Sequence, residues 1–74
     1  MAETFYVSAS HPVAQFSFNR TKVIVRYDVG SNMFYASHLD LGCGKSRSDP
    51  EKAIRLLFSD HACVVTKIER EELQ

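Results

Sequence analysis

"SDPEKAIRLLFSDH", residues 48–61, is the segment of this 74-residue chain whose apolar residues recur with the period of a helix. Ala53, Ile54, Leu57 and Phe58 share one stripe, with Glu51, Lys52, Arg55 and Asp60 elsewhere, the pattern of a helix that buries one face. Its start is written in the same residues. Asp49 is suited to cap, Ser48 with Glu51 offers an alternative capping box, and Pro50 suits the first helical position, where its missing N–H would have had no partner. One such helix must lay its stripe on another layer, and the rest of the chain reads as strands.

Further upstream, "KVIVRYDV" (22–29) puts Val23, Val25, Tyr27 and Val29 on one face and Lys22, Ile24, Arg26 and Asp28 on the other. Gly30-Ser31-Asn32 is a connection whose residues tolerate positive φ, and "MFYASHLDL" (33–41) returns with Tyr35, Leu39 and Leu41 against Phe34, His38 and Asp40. This pair is a β-hairpin. "TFYVSA" (4–9) alternates with Phe5, Val7 and Ala9 on one face, and "VAQFSFN" (13–19) reads as a second short strand, set off by Pro12 and by a polar turn at Asn19-Arg20-Thr21. After the helix, "ACVVTKIE" (62–69) is a β-branched strand, followed by a charged tail expected to fray.

The order is therefore β-β-β-β-α-β, or one strand fewer if the first two are a single bent strand. The expected fold is one small α+β domain spanning residues 1–74, an antiparallel sheet of four to five strands with one amphipathic helix on one face. The expected core is Phe5, Val7, Val23, Val25, Tyr27, Leu39, Ile54, Leu57, Phe58, Val64 and Ile68. A chain this short buries only about 60% of its unfolded surface, so pairing with a copy of itself or docking on a partner fits its size.

Nine basic and nine acidic side chains cancel, which argues against the basic stripe of a general nucleic-acid binder. The longest apolar runs are four residues, too short to span a bilayer, and the N-terminus has no signal-peptide pattern. Cys43 and Cys63 are too few for a disulfide framework, so a reducing cytoplasm is the expected setting.

"LGCGKSRSD" (41–49) echoes the end of a phosphate-binding loop, but Leu39 stands where the first glycine belongs and the helix starts several residues late. It reads as a connection between hairpin and helix. Cys43, His61 and Cys63 fit no closed zinc site, and Cys63 reads as a small core residue. His38 and Asp40 point to one face of a strand, but no nucleophile or oxyanion hole accompanies them, and they read as a cross-strand polar contact on a solvated face. No motif calls for a cofactor, a metal or an enzymatic reaction.

The succession from 22 to 68 of strand, turn, "MFYASHLDLGC", polar loop, "SDPEKAIRLLF" and final strand is similar to the small domain of HicB-like antitoxins. That family reads Y-x-A-x-x-P-D-L-P-G-C and then x-E-A at the helix. Tyr35, Ala36, Asp40, Leu41, Gly42, Cys43 and Ala53 lie on the pattern, while its two prolines are replaced. In size, neutrality and lack of a catalytic constellation the chain also resembles the small inhibitors of phages and mobile elements, anti-CRISPR proteins among them. Both resemblances imply a protein that works by covering a surface of a larger protein or nucleoprotein complex. The expected contact surface is Lys45 and Arg47 of the loop with Lys52 and Arg55 of the helix, and open sheet edges offer strand addition or homodimerisation besides. The alternative is a nucleic-acid-binding regulator that uses the same basic patch.

Overall fold

The computed structural model describes residues 2–46 and 49–72. In chain order these form β1 (Ala2–Ser10), β2 (Ser17–Asp28), β3 (Met33–His38), β4 (Gly42–Ser46), α1 (Pro50–Ser59) and β5 (Val64–Arg70). The strands make one five-stranded sheet in the order β4-β3-β2-β1-β5, and each neighbouring pair is antiparallel. β1 to β4 form a meander. α1 then crosses back over one face and delivers β5 to the opposite edge, beside β1. The fold is the α+β arrangement that the alternation and the single helical stripe require.

α1 begins as its residues dictate. Asp49 has extended backbone, its carboxylate accepts the Lys52 N–H at 2.8 Å, and Pro50 opens the first turn. Ser48 of the alternative capping box lies outside the described residues, as do Arg47 and the last two residues of the expected frayed tail. At the other end Ala62 takes a left-handed φ of 60°, and the Cys63 N–H closes onto the Phe58 carbonyl at 2.9 Å.

The buried stripe Ala53, Ile54, Leu57 and Phe58 rests on Phe5, Val7, Ala9, Val23, Val25 and Ala36, with Cys63 in the same cluster. Large apolar side chains in such a position contribute roughly 1.5–3 kcal/mol each by burial. Phe18, Phe34, Leu41, Val65 and Ile68 pack around this centre.

The strand boundaries differ from expectation in three places. Asn19-Arg20-Thr21 is not a turn but lies within β2. Opposite it the register steps from Val7↔Thr21 to Ala9↔Phe18, which leaves one extra residue on β2 as a bulge, with Arg20 at φ 52°. The true reversal is at residues 11–16, so Ala14 and Phe16 are exposed and not on a core face. His11 organises this turn, its Nδ1 accepting the N–H groups of Val13 and Ala14. Finally, residues 42–46 are strand β4, not a bare connection. The expected four strands before the helix are present, but two of the expected ones are a single strand and the fourth is the glycine segment.

Three expected core residues are outside the core. Leu39 is 98% exposed because β3 ends at His38 and Leu39 sits in the reversal that follows. On β3 it is Phe34, Ala36 and His38 that face the helix, since their partners across the sheet include Val25 and Gly44. Tyr27 is 38% exposed, tilted against Phe34 at the sheet's end, and Val64 is 58% exposed at the first residue of an edge strand.

Candidate functional site

The helix covers one face of the sheet and leaves the other open. By strand parity the open face carries Thr4, Tyr6 and Ser8 from β1, Lys22, Ile24 and Arg26 from β2, Tyr35 and Ser37 from β3, Cys43 and Lys45 from β4, and Lys67 and Glu69 from β5. Its two halves differ in how their charges are used.

The half over β1 and β5 is saturated from within. Arg20, aimed by the bulge, lies over the Tyr6 ring at 5.2 Å and pairs with Glu69 at 3.2 Å. Lys67 also reaches Glu69 at 3.1 Å, and the Tyr6 hydroxyl donates to Glu71 at 2.8 Å. The hydrogen bond from Lys67, together with the charge of Arg20, holds the Glu69 carboxyl below its ordinary range. The bond to Glu71 raises the Tyr6 phenol above its ordinary value. On the helix side of the same edge, Arg70 pairs with Glu3 at 3.0 Å and lies over the Phe5 ring.

The half toward β4 is different. Among the described residues, Lys22, Arg26, Lys45, Lys52 and Arg55 make no side-chain hydrogen bond or ion pair. Arg26, Tyr35 and Lys45 are direct cross-strand neighbours on β2, β3 and β4, so one aromatic ring stands between two uncommitted cations.

The expected patch is thus only partly one surface. Lys45 belongs to the open face. Lys52 and Arg55 are on the helix, on the covered side, where with Ser46, Leu56 and Ser59 they line a shallow groove. A second groove, lined by Tyr35, Cys43, Gly44, Lys45, Leu56 and Asp60, runs round the β4 edge. Leu56 borders both. It is 46% exposed, on the helical stripe Lys52, Arg55, Leu56, Ser59 adjacent to the buried one. Its signal in the sequence is an apolar residue off the buried stripe. What joins these residues is the outer edge of β4, with Lys45 on one side and Leu56, Lys52 and Arg55 on the other.

The titratable residues suggestive of chemistry are occupied in structure. His38 faces the core, not solvent, edge-on to Phe18 and Phe58. Its Nδ1 accepts the Asp40 backbone N–H at 3.0 Å, which in the neutral ring places the proton on Nε2, 2.7 Å from Thr21 Oγ1. His38 does make a cross-strand polar contact, but with Thr21, part-buried on the helix side and not on a solvated face, and the Asp40 carboxylate is not its partner. His61 Nε2 is 2.7 Å from the Leu41 carbonyl and ties the β3–β4 reversal to the end of the helix. Cys43 is exposed on the open face, whereas Cys63 is buried in the core. No cluster of three or more metal-binding side chains occurs among the described residues, and no described helix is long and apolar enough to cross a membrane.

Comparison with family models, with curated proteins and with solved structures finds no match for this chain.

Proposed function

We propose that this chain is a small non-enzymatic binding protein that inhibits or neutralises a larger protein or nucleoprotein complex by covering one of its surfaces, and that the β4 edge makes the contact. The observation that supports this is the difference between the two sheet edges. Around β5 the cations Arg20, Lys67 and Arg70 are all paired within the chain, while Lys45, Lys52 and Arg55 around β4 are uncommitted and flank an exposed leucine. An exposed apolar side chain rimmed by unpaired charge matches the apolar centre and polar rim of a protein-contact surface. The mechanism is steric: a small rigid body occupies the partner's working surface and needs no chemistry of its own.

The test is capture from bacterial lysate by the tagged protein, with and without nuclease, beside the variant Lys52→Glu/Arg55→Glu. A protein recovered in stoichiometric amount after nuclease, and lost with the variant, supports the reading. Recovery unchanged in the variant discards the β4 edge as the contact.

A nucleic-acid-binding regulator is the second reading, favoured by the row Arg26–Tyr35–Lys45. It requires affinity for RNA or DNA that falls steeply with salt. Only one open-face ring is at hand for stacking, since Arg20 covers Tyr6, and this makes a poor platform for successive bases.

A further inference from the structure

Lys45 and the pair Lys52/Arg55 lie on opposite faces of the sheet, so a flat partner surface meets one set and not the other. An extended strand meets both. Successive side chains of a strand point to opposite faces, and a strand added beside β4, about 4.8 Å away, sends alternate residues to the open face and to the helix side. Resting on the reading above, we infer that the partner presents an extended acidic segment that adds to the β4 edge as a sixth strand of the five-stranded sheet.

The edge suits this. In an antiparallel pair every second residue directs its N–H and C=O away from the partner strand, so β4 offers backbone groups outward from β3. A residue opposite Lys45 projects onto the open face within ion-pair reach of its ammonium. Residues opposite Gly44 and Ser46 project to the other side, into the groove bordered by Leu56, Lys52 and Arg55. Asp60, at the second groove, is the one acidic side chain lining either. Carboxylates alternating with apolar residues therefore match both sides of the edge.

The same charges disfavour a second copy of this chain as the occupant. Pairing β4 with β4 of a copy sets Lys45, Lys52 and Arg55 of each chain against the same residues of the other, and like charges repel across such a seam. β5 is the less suitable edge, because its cations already hold Glu69 and Glu3.

The experiment titrates the full chain with a capped octapeptide of alternating Glu and Val and follows the backbone amides by NMR and hydrogen exchange. Controls are a Lys/Val peptide of the same length, oligothymidylate, and two Glu/Val peptides N-methylated at every Glu or at every Val. The expected result is shifts and slowed exchange centred on residues 42–46 and no effect from the Lys/Val peptide. One N-methylated peptide binds and the other does not, because only alternate residues of the added strand bond to β4. Lys45→Glu, which faces the glutamates, weakens binding about tenfold, and Lys52→Glu/Arg55→Glu, on the side that receives the valines, weakens it less.

Equal binding by both N-methylated peptides, shifts spread over the open face, or no shifts overturn strand addition. So does oligothymidylate binding at Arg26 and Tyr35 in the absence of peptide binding, or a dimer that protects residues 42–46 without peptide. Partner capture by the edge variants is read separately. Capture that depends on Lys52 and Arg55 while the peptide fails keeps the contact surface and discards the strand geometry.

Discussion

Gly44 on β4 lies directly beneath Leu57 of the helix: a Cβ at Gly44 would stand 2.7 Å from the Leu57 nitrogen and 2.8 Å from both Leu57 Cα and the Ala53 carbonyl oxygen. All three obstacles are backbone, so no side chain can swing aside. This close approach of helix to strand explains why a glycine-rich segment is a strand at all, and it seats the helix over the β4 edge.

Gly44→Ala is expected to destabilise the fold by about 1–3 kcal/mol, the range for overpacking a core. Gly42 is a useful contrast, because nothing lies within 4 Å of its added Cβ but its φ is +89°. Gly42→Ala should cost about 1–2 kcal/mol through backbone strain alone. Urea denaturation of both variants checks this. A Gly44→Ala protein as stable as the parent sinks the packing argument.

The sequence carried the helix and its cap in full, because each rests on local chemistry: the stripe of 53, 54, 57 and 58, and the Asp49 carboxylate beside Pro50. Strand parity was legible where β-branched residues alternate, as at Val23 and Val25. It failed at "GCGKS", whose strand character comes from the helix above and the β3 ladder beside it, not from its own propensity. It failed again at Asn19-Arg20-Thr21, since a polar triplet that bulges within a strand has the same composition as a turn. The patch was legible as a set of cations. Its division between two faces depended on recognising β4.

Ser8 serves both irregularities of the sheet. β1 meets a bulge in β2 on one side and another in β5 on the other, at the level of Ser8 and Ala9. The Ser8 hydroxyl accepts the Arg20 N–H at 3.2 Å, and the Ser8 carbonyl accepts the Thr66 hydroxyl at 3.1 Å. Ser8→Ala is expected to cost about 1 kcal/mol, the net worth of one hydrogen bond. It should also speed amide exchange at Arg20 while leaving Thr66 unaffected. Uniform destabilisation with no local change at Arg20 counts against this role.

Phe58 and Leu39 mark the limits of the core, at 0% and 98% exposure. Phe58→Asp, like Ile54→Asp, should unfold the domain, since an uncompensated carboxylate cannot be buried in that cluster. Leu39→Asp should shift stability by no more than about 0.5 kcal/mol. Circular dichroism of the three variants is sufficient, and an unfolded Leu39→Asp protein contradicts the exposed reversal assigned after β3.

Acid should weaken the fold through Glu69. Its folded pKa lies below the ordinary 4.5, chiefly through the hydrogen bond from Lys67. A depressed carboxyl contributes stability that is complete above the unfolded value and is lost as pH falls through the folded one. Asp28, lowered by the hydrogen bond from Ser31, acts in the same direction below its ordinary 3.8. Glu69→Gln should therefore flatten the decline in thermal midpoint below about pH 4.5. A variant with the parent's full acid slope assigns the effect to other groups.

Lys45 and Lys67 provide the decisive comparison between edges. Both are exposed lysines on the open face, one on each edge strand, but Lys67 is held by Glu69 and Lys45 by no described residue. Reversing Lys67 sets a carboxylate against Glu69, so Lys67→Glu should lower the thermal midpoint slightly and leave partner capture intact. Reversing Lys45 breaks no contact within the chain, so Lys45→Glu should keep the parent's midpoint and lose capture. Surface changes of this kind rarely alter folding, which makes capture the informative readout. The two variants have the same charge change and therefore control for net charge. If capture falls equally in both, the interaction is with overall charge and the β4 edge has no special part in it. If it falls with Lys67→Glu alone, the contact lies on β5, and the paired cations there are themselves the recognition surface.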